Sequence, residues 1–245
     1  MNSRSRRWSH GVCIALVTGW FVGCDTSAPQ SPPSQSSTTG HGDPNLRSDT
    51  GSASISGSGT KRIIILTNGD SPFWDACREG LNAANSELKL ASSGLKAVLD
   101  VNDGTPQGQL SKLQQYATQG DIAGVGVSAI DANNVAVADE LRSLQKKGIK
   151  VLTIDSDLDR TQFRDSRFAF VGTDNLAGGE TLGACAKGLR SAGGEYVTFV
   201  GRTGAQNAIE RIEGFGQGAG ENFVDRGKMA DDTDKALARE NVRNA

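Results

Sequence analysis

Histidine is the first shortage: His10 and His41 are the chain's only two, and both precede residue 61, where the first aliphatic run begins. A folded part without histidine excludes histidine-dependent triads and histidine-ligated zinc. Cysteine is almost as scarce. Past Cys24 only Cys77 and Cys185 remain, too few for a disulfide scaffold. Both fall in helical patterns, where a buried thiol acts as a small apolar group, and whether they pair depends on their distance. The formal net charge is -2, with no basic block beyond the first residues, which argues against nucleic acid as a partner. The apolar run over residues 11–22 falls far short of the roughly 20 residues a membrane-crossing helix needs. No phosphate-loop motif is present. Gly214, Gly216, Gly218 and Gly220 miss the dinucleotide-binding spacing, because Ala219 stands where the third glycine belongs and the run lies inside a helical pattern. No cofactor is expected.

Arg4, Arg6 and Arg7 precede the apolar run, and Gly23 and Cys24 follow it. A charged start, a short apolar middle and a small-residue end describe an export signal. Residues 21–24, Phe-Val-Gly-Cys, resemble the lipobox of bacterial lipoproteins. That implies a signal peptide over residues 1–23 and a lipid anchor on Cys24; the alternative is a plain secretory signal cut nearby. Residues 24–60 are dominated by Ser, Thr, Gly, Pro and Gln, and bury too little apolar surface to offset their ordering entropy. A disordered tether is expected there, with a root-mean-square reach of roughly 30–35 Å.

From residue 61 short aliphatic strands alternate with longer amphipathic segments, the pattern of an α/β fold built on doubly wound parallel sheet. Ile63, Ile64, Ile65 and Leu66 are unbroken, which predicts a central strand buried on both faces. Residues 67–71 then place hydroxyls, an amide and a carboxylate at its carboxyl end, where open α/β sheets bind ligands. Pro72 suits the first helical position, with Asp70 or Ser71 as cap. Helices are expected over residues 72–88, 106–120 and 131–147, and further strands over 96–101, 122–127, 151–154 and 168–171, completing a first lobe over residues 61–173. At Thr173, Asp174 and Asn175 the pattern restarts. A helix over 176–190 contains Gly178, Gly179 and Gly183, which permit close backbone approach. A strand over 196–200, a helix over about 208–223, a weak strand at Met229 and Ala230 and a helix capped by Thr233 or Asp234 follow. The lobe over residues 174–245 is therefore expected to be incomplete.

Asp155, Asp157 and Asp159 are spaced like the opening of a calcium loop. Arg160 stands where that loop needs glycine and Ser166 where it needs glutamate, so no metal is expected. An aspartyl-phosphate phosphatase is the weaker, enzymatic alternative, since its motif belongs on the leading strand and normally has Thr or Val in place of Asp159. No catalytic residue is expected. What remains at the strand ends is Asp70, Ser71, Phe73, Trp74 and Asp155, joined by Arg211. Aromatic faces that cover C–H groups, with charged groups that bond hydroxyls, suit a sugar. Core packing for the two aromatics and capping or simple exposure for the carboxylates are the plainer alternatives.

Taken in order, the turn with Pro72-Phe73-Trp74, the strand before Asp155, Thr173-Asp174-Asn175 with Gly178-Gly179, and Ile209-Glu-Arg211-Ile-Glu-Gly214-Phe215 resemble the periplasmic sugar-binding proteins of ABC importers. The likeness is to the ribose and galactose cluster, related to the effector domains of lactose-repressor-type regulators. It implies a periplasmic-binding-protein-like type I fold, two doubly wound parallel-sheet lobes closing on a monosaccharide. Asp70, Ser71, Phe73, Trp74 and Asp155 would meet the ligand from one lobe and Arg211 from the other, with Asp174 and Asn175 at the hinge. It also implies an ABC permease and its ATPase as partners, an extracytoplasmic location, and a membrane held through Cys24; the rival is a sugar-sensing domain feeding a membrane receptor or regulator. Two departures stand out: Ser156 replaces the arginine usual in ribose binders, and the family runs on for most of another lobe beyond Ala245. Weak or absent sugar binding by the chain as given is the expectation that follows.

Overall fold

The aliphatic run forms an interior strand, next to the edge, and the strand Ile122–Val127 takes the centre. In the computed structural model, which describes residues 59–245, β1 (Lys61–Leu66) pairs in parallel with β2 (Leu95–Asp100) on one side and β3 (Ile122–Val127) on the other. β4 (Lys150–Ile154) and β5 (Ala169–Val171) extend the same parallel sheet to the order β2-β1-β3-β4-β5. The chain reverses its direction of winding between β1 and β3, the switch point at which such sheets open a crevice. The signal, Cys24 and the tether lie outside the described residues.

One face of this sheet is dry and the other half-covered. Ile64, Leu66, Val125, Val127 and Val151 are packed beneath α2 (Pro106–Tyr116) and α3 (Val135–Lys146), through Leu113, Tyr116, Val137, Leu141 and Leu144. Ile63 and Ile65 point the other way and are only half-buried, because α1 (Pro72–Glu87) lies over β2 and leaves the rest of that face open. Burial on both faces is thus corrected to burial on one. Local signals set most helix ends: Thr105 and Asn134 accept from the backbone of Gly108 and Val137. The cap at Asn134 starts α3 four residues later than its apolar spacing suggested. At α1 the N-cap position falls to Ser71, yet its side chain makes no cap hydrogen bond.

The chain then builds a second, two-stranded parallel sheet of β6 (Gly194–Val200) and β7 (Phe223–Ala230), with α4 (Asn175–Leu189), α5 (Gln206–Ala219) and α6 (Lys235–Asn244). β7 has eight residues where two were expected, and Phe223 opens it rather than ending α5. Gly220 at φ 81° terminates that helix, a conformation that glycine adopts without strain. α4 and α5 meet backbone to backbone. A Cβ on Gly179, Gly183, Gly214 or Gly218 would stand 2.3, 2.3, 2.1 or 2.0 Å from a carbonyl oxygen of the opposite helix. The glycines noted in the sequence are therefore a packing seam, while Gly178 and Gly216 face open space. Phe215 beside the seam packs on Tyr196 and Phe223 at ring centroid distances of 4.7 and 6.5 Å. Cys77 and Cys185 are both free, and Cys185 is exposed rather than buried.

Candidate functional site

The carboxyl ends of the first sheet's strands are tied together by buried polar side chains. Thr67, directly after β1, donates its hydroxyl to the Gly69 carbonyl at 2.7 Å and accepts the Asn102 amide at 2.9 Å, which joins the turns behind β1 and β2. Asp70 is exposed on this turn. The Ser71 hydroxyl is not engaged in capping. Phe73 and Trp74 diverge: Phe73 is 58% exposed, whereas Trp74 is 3% exposed and donates its indole N–H to Asn68 Oδ1 at 3.0 Å. Their rings meet edge-on at 4.9 Å. Trp74 thus supports the turn from beneath, and Phe73 is the ring presented outward.

The three aspartates after β4 have three separate roles. Asp155 sits at φ 58°, a left-handed conformation uncommon outside glycine, asparagine and aspartate and frequent at functional positions. Ser128 Oγ donates to its carboxylate at 3.0 Å. Burial pushes the Asp155 carboxyl above its ordinary range, against the opposing pull of the Ser128 bond and the Arg211 charge. The Cys77 thiol is pushed up by its own burial and then by the Asp155 charge, so the inner side of α1 is close enough to feel this carboxylate. Asp157 is fully buried, paired with Arg167 at 2.5 Å and accepting from Thr153 Oγ1 at 2.6 Å and the Leu158 amide at 2.9 Å. Asp159 accepts from Thr161 and Gln162 and folds its own loop. The calcium-like spacing is thereby accounted for by a strand-end carboxylate held by Ser128, a core ion pair and a turn.

Arg211 approaches from α5. Its charge pulls on Asp155, yet the two form no direct ion pair among the described residues. Glu210, its neighbour, is held by Gln206 at 3.1 Å and by Arg160 at 3.5 Å. Arg160 also reaches Asp157 at 3.3 Å and lies over the Phe170 ring at 4.9 Å, linking the first sheet to α5. The Ala132 amide bonds the Gly204 carbonyl at 3.0 Å, a second link between strand-end loops of the two sheets. Asp174 caps α4 by accepting from the Ala177 amide at 3.1 Å, and buried Asn175 donates to the Thr173 carbonyl at 3.1 Å. Both stand where the chain passes from β5 to α4.

Sequence reasoning singled out neither Ser128, which steadies Asp155, nor Arg202, two residues past β6, and it noted the Asn68 amide without its role as acceptor for Trp74. Ser128 was reachable by the rule that singled out Thr67 and Asp155, since it too directly follows a strand. Gln109 on α2 anchors it by donating to the Ser128 carbonyl at 2.9 Å.

A five-stranded parallel sheet with a switch point and polar groups gathered at its strand ends is the framework in which open α/β sheets bind ligands. The chain belongs to the periplasmic binding protein domain family, whose model matches residues 63–245. Solved structures with the same fold include an ABC transporter solute-binding protein from Burkholderia graminis in complex with D-arabinose. It is 22% identical over 78% of this chain and 63% of that one, with a TM-score of 0.66. A myo-inositol-binding protein from Caulobacter, bound to myo-inositol, is 25% identical over 76% and 61%, TM-score 0.62. XylFII, solved as a complex with LytSN, is 21% identical over 76% and 65%, TM-score 0.63. The chain therefore spans less than two thirds of the length of each. No curated protein matches it in sequence.

Proposed function

We propose that the protein captures a monosaccharide between lobes formed by residues 61–173 and 174–245, and passes it to an ABC permease and its ATPase without acting on it chemically. Asp155 is the single observation that carries this reading. A carboxylate held in a left-handed conformation, desolvated, steadied by Ser128 and opposed but not touched by Arg211 leaves room for hydroxyls that would bond both charges. Ser71 and the outward ring of Phe73 would complete the contact from β1, Trp74 would hold their turn, and Asp70 would lie at the rim. Asp174 and Asn175 would form the hinge. The sugars in the matched structures, D-arabinose in one and myo-inositol, a sugar-like polyol, in another, support the ligand class.

Trp74 is the sole tryptophan after residue 20, so its emission reports the turn directly. Sugars titrated to millimolar concentration are expected to shift it saturably, and Asp155→Ala to weaken that response by about 1.5–3 kcal/mol, the range for hydrogen bonds to a charged group. The pH dependence has a definite sign. Because the folded, empty protein holds the Asp155 carboxyl above its ordinary value, stability falls as pH rises from that ordinary value to the raised one. Hydroxyl donors favour the ionised form, so affinity is highest above the raised value and declines below it. Asp155→Asn should accordingly stabilise the empty protein at neutral pH and flatten the acid limb of binding. An unchanged limb would reject Asp155 as the contact.

Retention outside the cytoplasm would come from the lipid on Cys24. Expression in bacteria with a radiolabelled fatty acid should label the protein and place it with the membranes; labelling that persists in Cys24→Ser would reject the anchor. A sensing role is the second reading, favoured by the XylFII–LytSN complex among the matched structures. Capture of a receptor rather than a permease by the sugar-loaded protein would decide for it.

A further inference from the structure

We infer that Arg202 forms an anion subsite in the cleft and that the ligand is a monosaccharide bearing a carboxylate, a uronic or aldonic acid. This rests on the sugar-capture reading above and narrows it. Arg202 follows β6 and is half-buried. Its Nη2 lies 3.2 Å from the point where a Cβ on Gly104 would stand, and Gly104 has φ 82°. Gly69 meets the Gly104 Cα at 3.7 Å from its own Cβ position. The turn behind β2 thus faces the guanidinium with bare backbone, and a side chain at Gly104 would have to displace it.

No hydrogen bond or ion pair to the Arg202 side chain exists among the described residues. Arg62, similarly half-buried, grips Asp121 through two bonds of 2.7 and 3.0 Å. Asp103, next to Gly104, accepts from the Thr105 amide and hydroxyl, both at 2.8 Å, and Asp131, beside Gly204, accepts from the Asn133 amide at 2.9 Å. Arg211 is opposed by Asp155; among the described residues no carboxylate pairs with Arg202. A partly desolvated guanidinium without a partner is unfavourable, and its planar fork matches a carboxylate through two parallel bonds. A neutral sugar would satisfy Asp155 and Arg211 and leave Arg202 bare. A sugar acid would satisfy all three.

The test pairs each acid with its neutral counterpart: glucuronate with glucose, galacturonate with galactose, xylonate with xylose. Each is titrated into the whole chain by calorimetry and by Trp74 emission at fixed ionic strength. At least one acid should bind about ten-fold tighter than its partner, and Arg202→Gln should lower that ratio about ten-fold. Arg202→Lys, which keeps the charge and loses the fork, should fall between, and circular dichroism confirms that both variants are folded. Neutral sugars that bind as well as every acid, sugar phosphates that bind where the acids do not, or a ratio that survives Arg202→Gln would overturn the subsite and leave the sugar reading standing. A panel in which no sugar, acid or neutral, shifts Trp74 while another class of solute does would overturn both.

Discussion

Asp157→Ala is expected to lower the stability of the first sheet by about 3–5 kcal/mol, the range for stripping one partner from a buried ion pair. Asp157 and Arg167 are 1% and 2% exposed at their side chains and 2.5 Å apart. Removing the carboxylate strands the guanidinium and leaves Thr153 Oγ1 and the Leu158 amide without their acceptor. Against the 5–15 kcal/mol typical of a whole domain, that is a large share. Denaturant unfolding followed by far-UV circular dichroism measures it. The combined change Asp157→Leu with Arg167→Met should recover much of the loss, since an apolar pair of similar volume replaces two charges. A single substitution within about 1 kcal/mol of the parent would show that water reaches the pair and screens it. Arg160 also touches Asp157, so the same variant should loosen its grip on Glu210 and weaken binding beyond the effect on folding.

Widening the α4–α5 seam is the other large effect. Gly218→Val and Gly214→Val place a Cβ about where a carbonyl oxygen of α4 now lies, within 2.0 and 2.1 Å. A backbone cannot turn aside as a side chain can, so the helices must part. Overpacking typically costs about 1–3 kcal/mol and sometimes more, and here the upper end is expected because only Phe215, Ala186 and Ala219 form the buried cluster beside the seam. Amide hydrogen exchange should accelerate through β6 and β7 while the first sheet keeps its protection. Gly216→Ala serves as the contrast. Nothing lies within 4 Å of its added Cβ, and alanine is favoured over glycine in a helix interior by about 1 kcal/mol. If Gly216→Ala and Gly218→Val behaved alike, close backbone packing would not be what holds these helices together.

The candidate site was legible in outline because its principal positions obey a local rule. Ser71 and Asp155 each follow a strand, where α/β sheets gather ligand contacts, and Arg202, which was passed over, does so too. Which polar residue at such a place faces the cleft was not legible. Asp155 and Asp157 are two apart after the same strand, and strand alternation would put both on one side. Alternation ends at Asp155, where φ turns positive, and Asp157 is thereby free to reach Arg167. Likewise Trp74 and Phe73 are adjacent aromatics on the first turn of α1, where successive side chains point about 100° apart, and it is Trp74 that turns inward to Asn68.

What the sequence determined by itself was whatever rests on neighbours along the chain. The aliphatic run of β1, the start of α1 at Pro72, and a cap at Thr233 or Asp234, which falls to Asp234, needed only a few adjacent residues to be recognised. The tertiary structure decided whatever depends on partners far apart in the chain. Ile63 and Ile65 are half-covered because of where α1 lies. Gly179 and Gly214 become a seam because two helices 35 residues apart at these positions come together. β7 exists at its observed length because β6 supplies a hydrogen-bonding edge, although Asp225, Arg226 and Lys228 within it are charged and lie in no aliphatic run. Ion pairs, shared sheet edges and backbone contacts are created when distant segments meet, and no stretch of residues carries them alone.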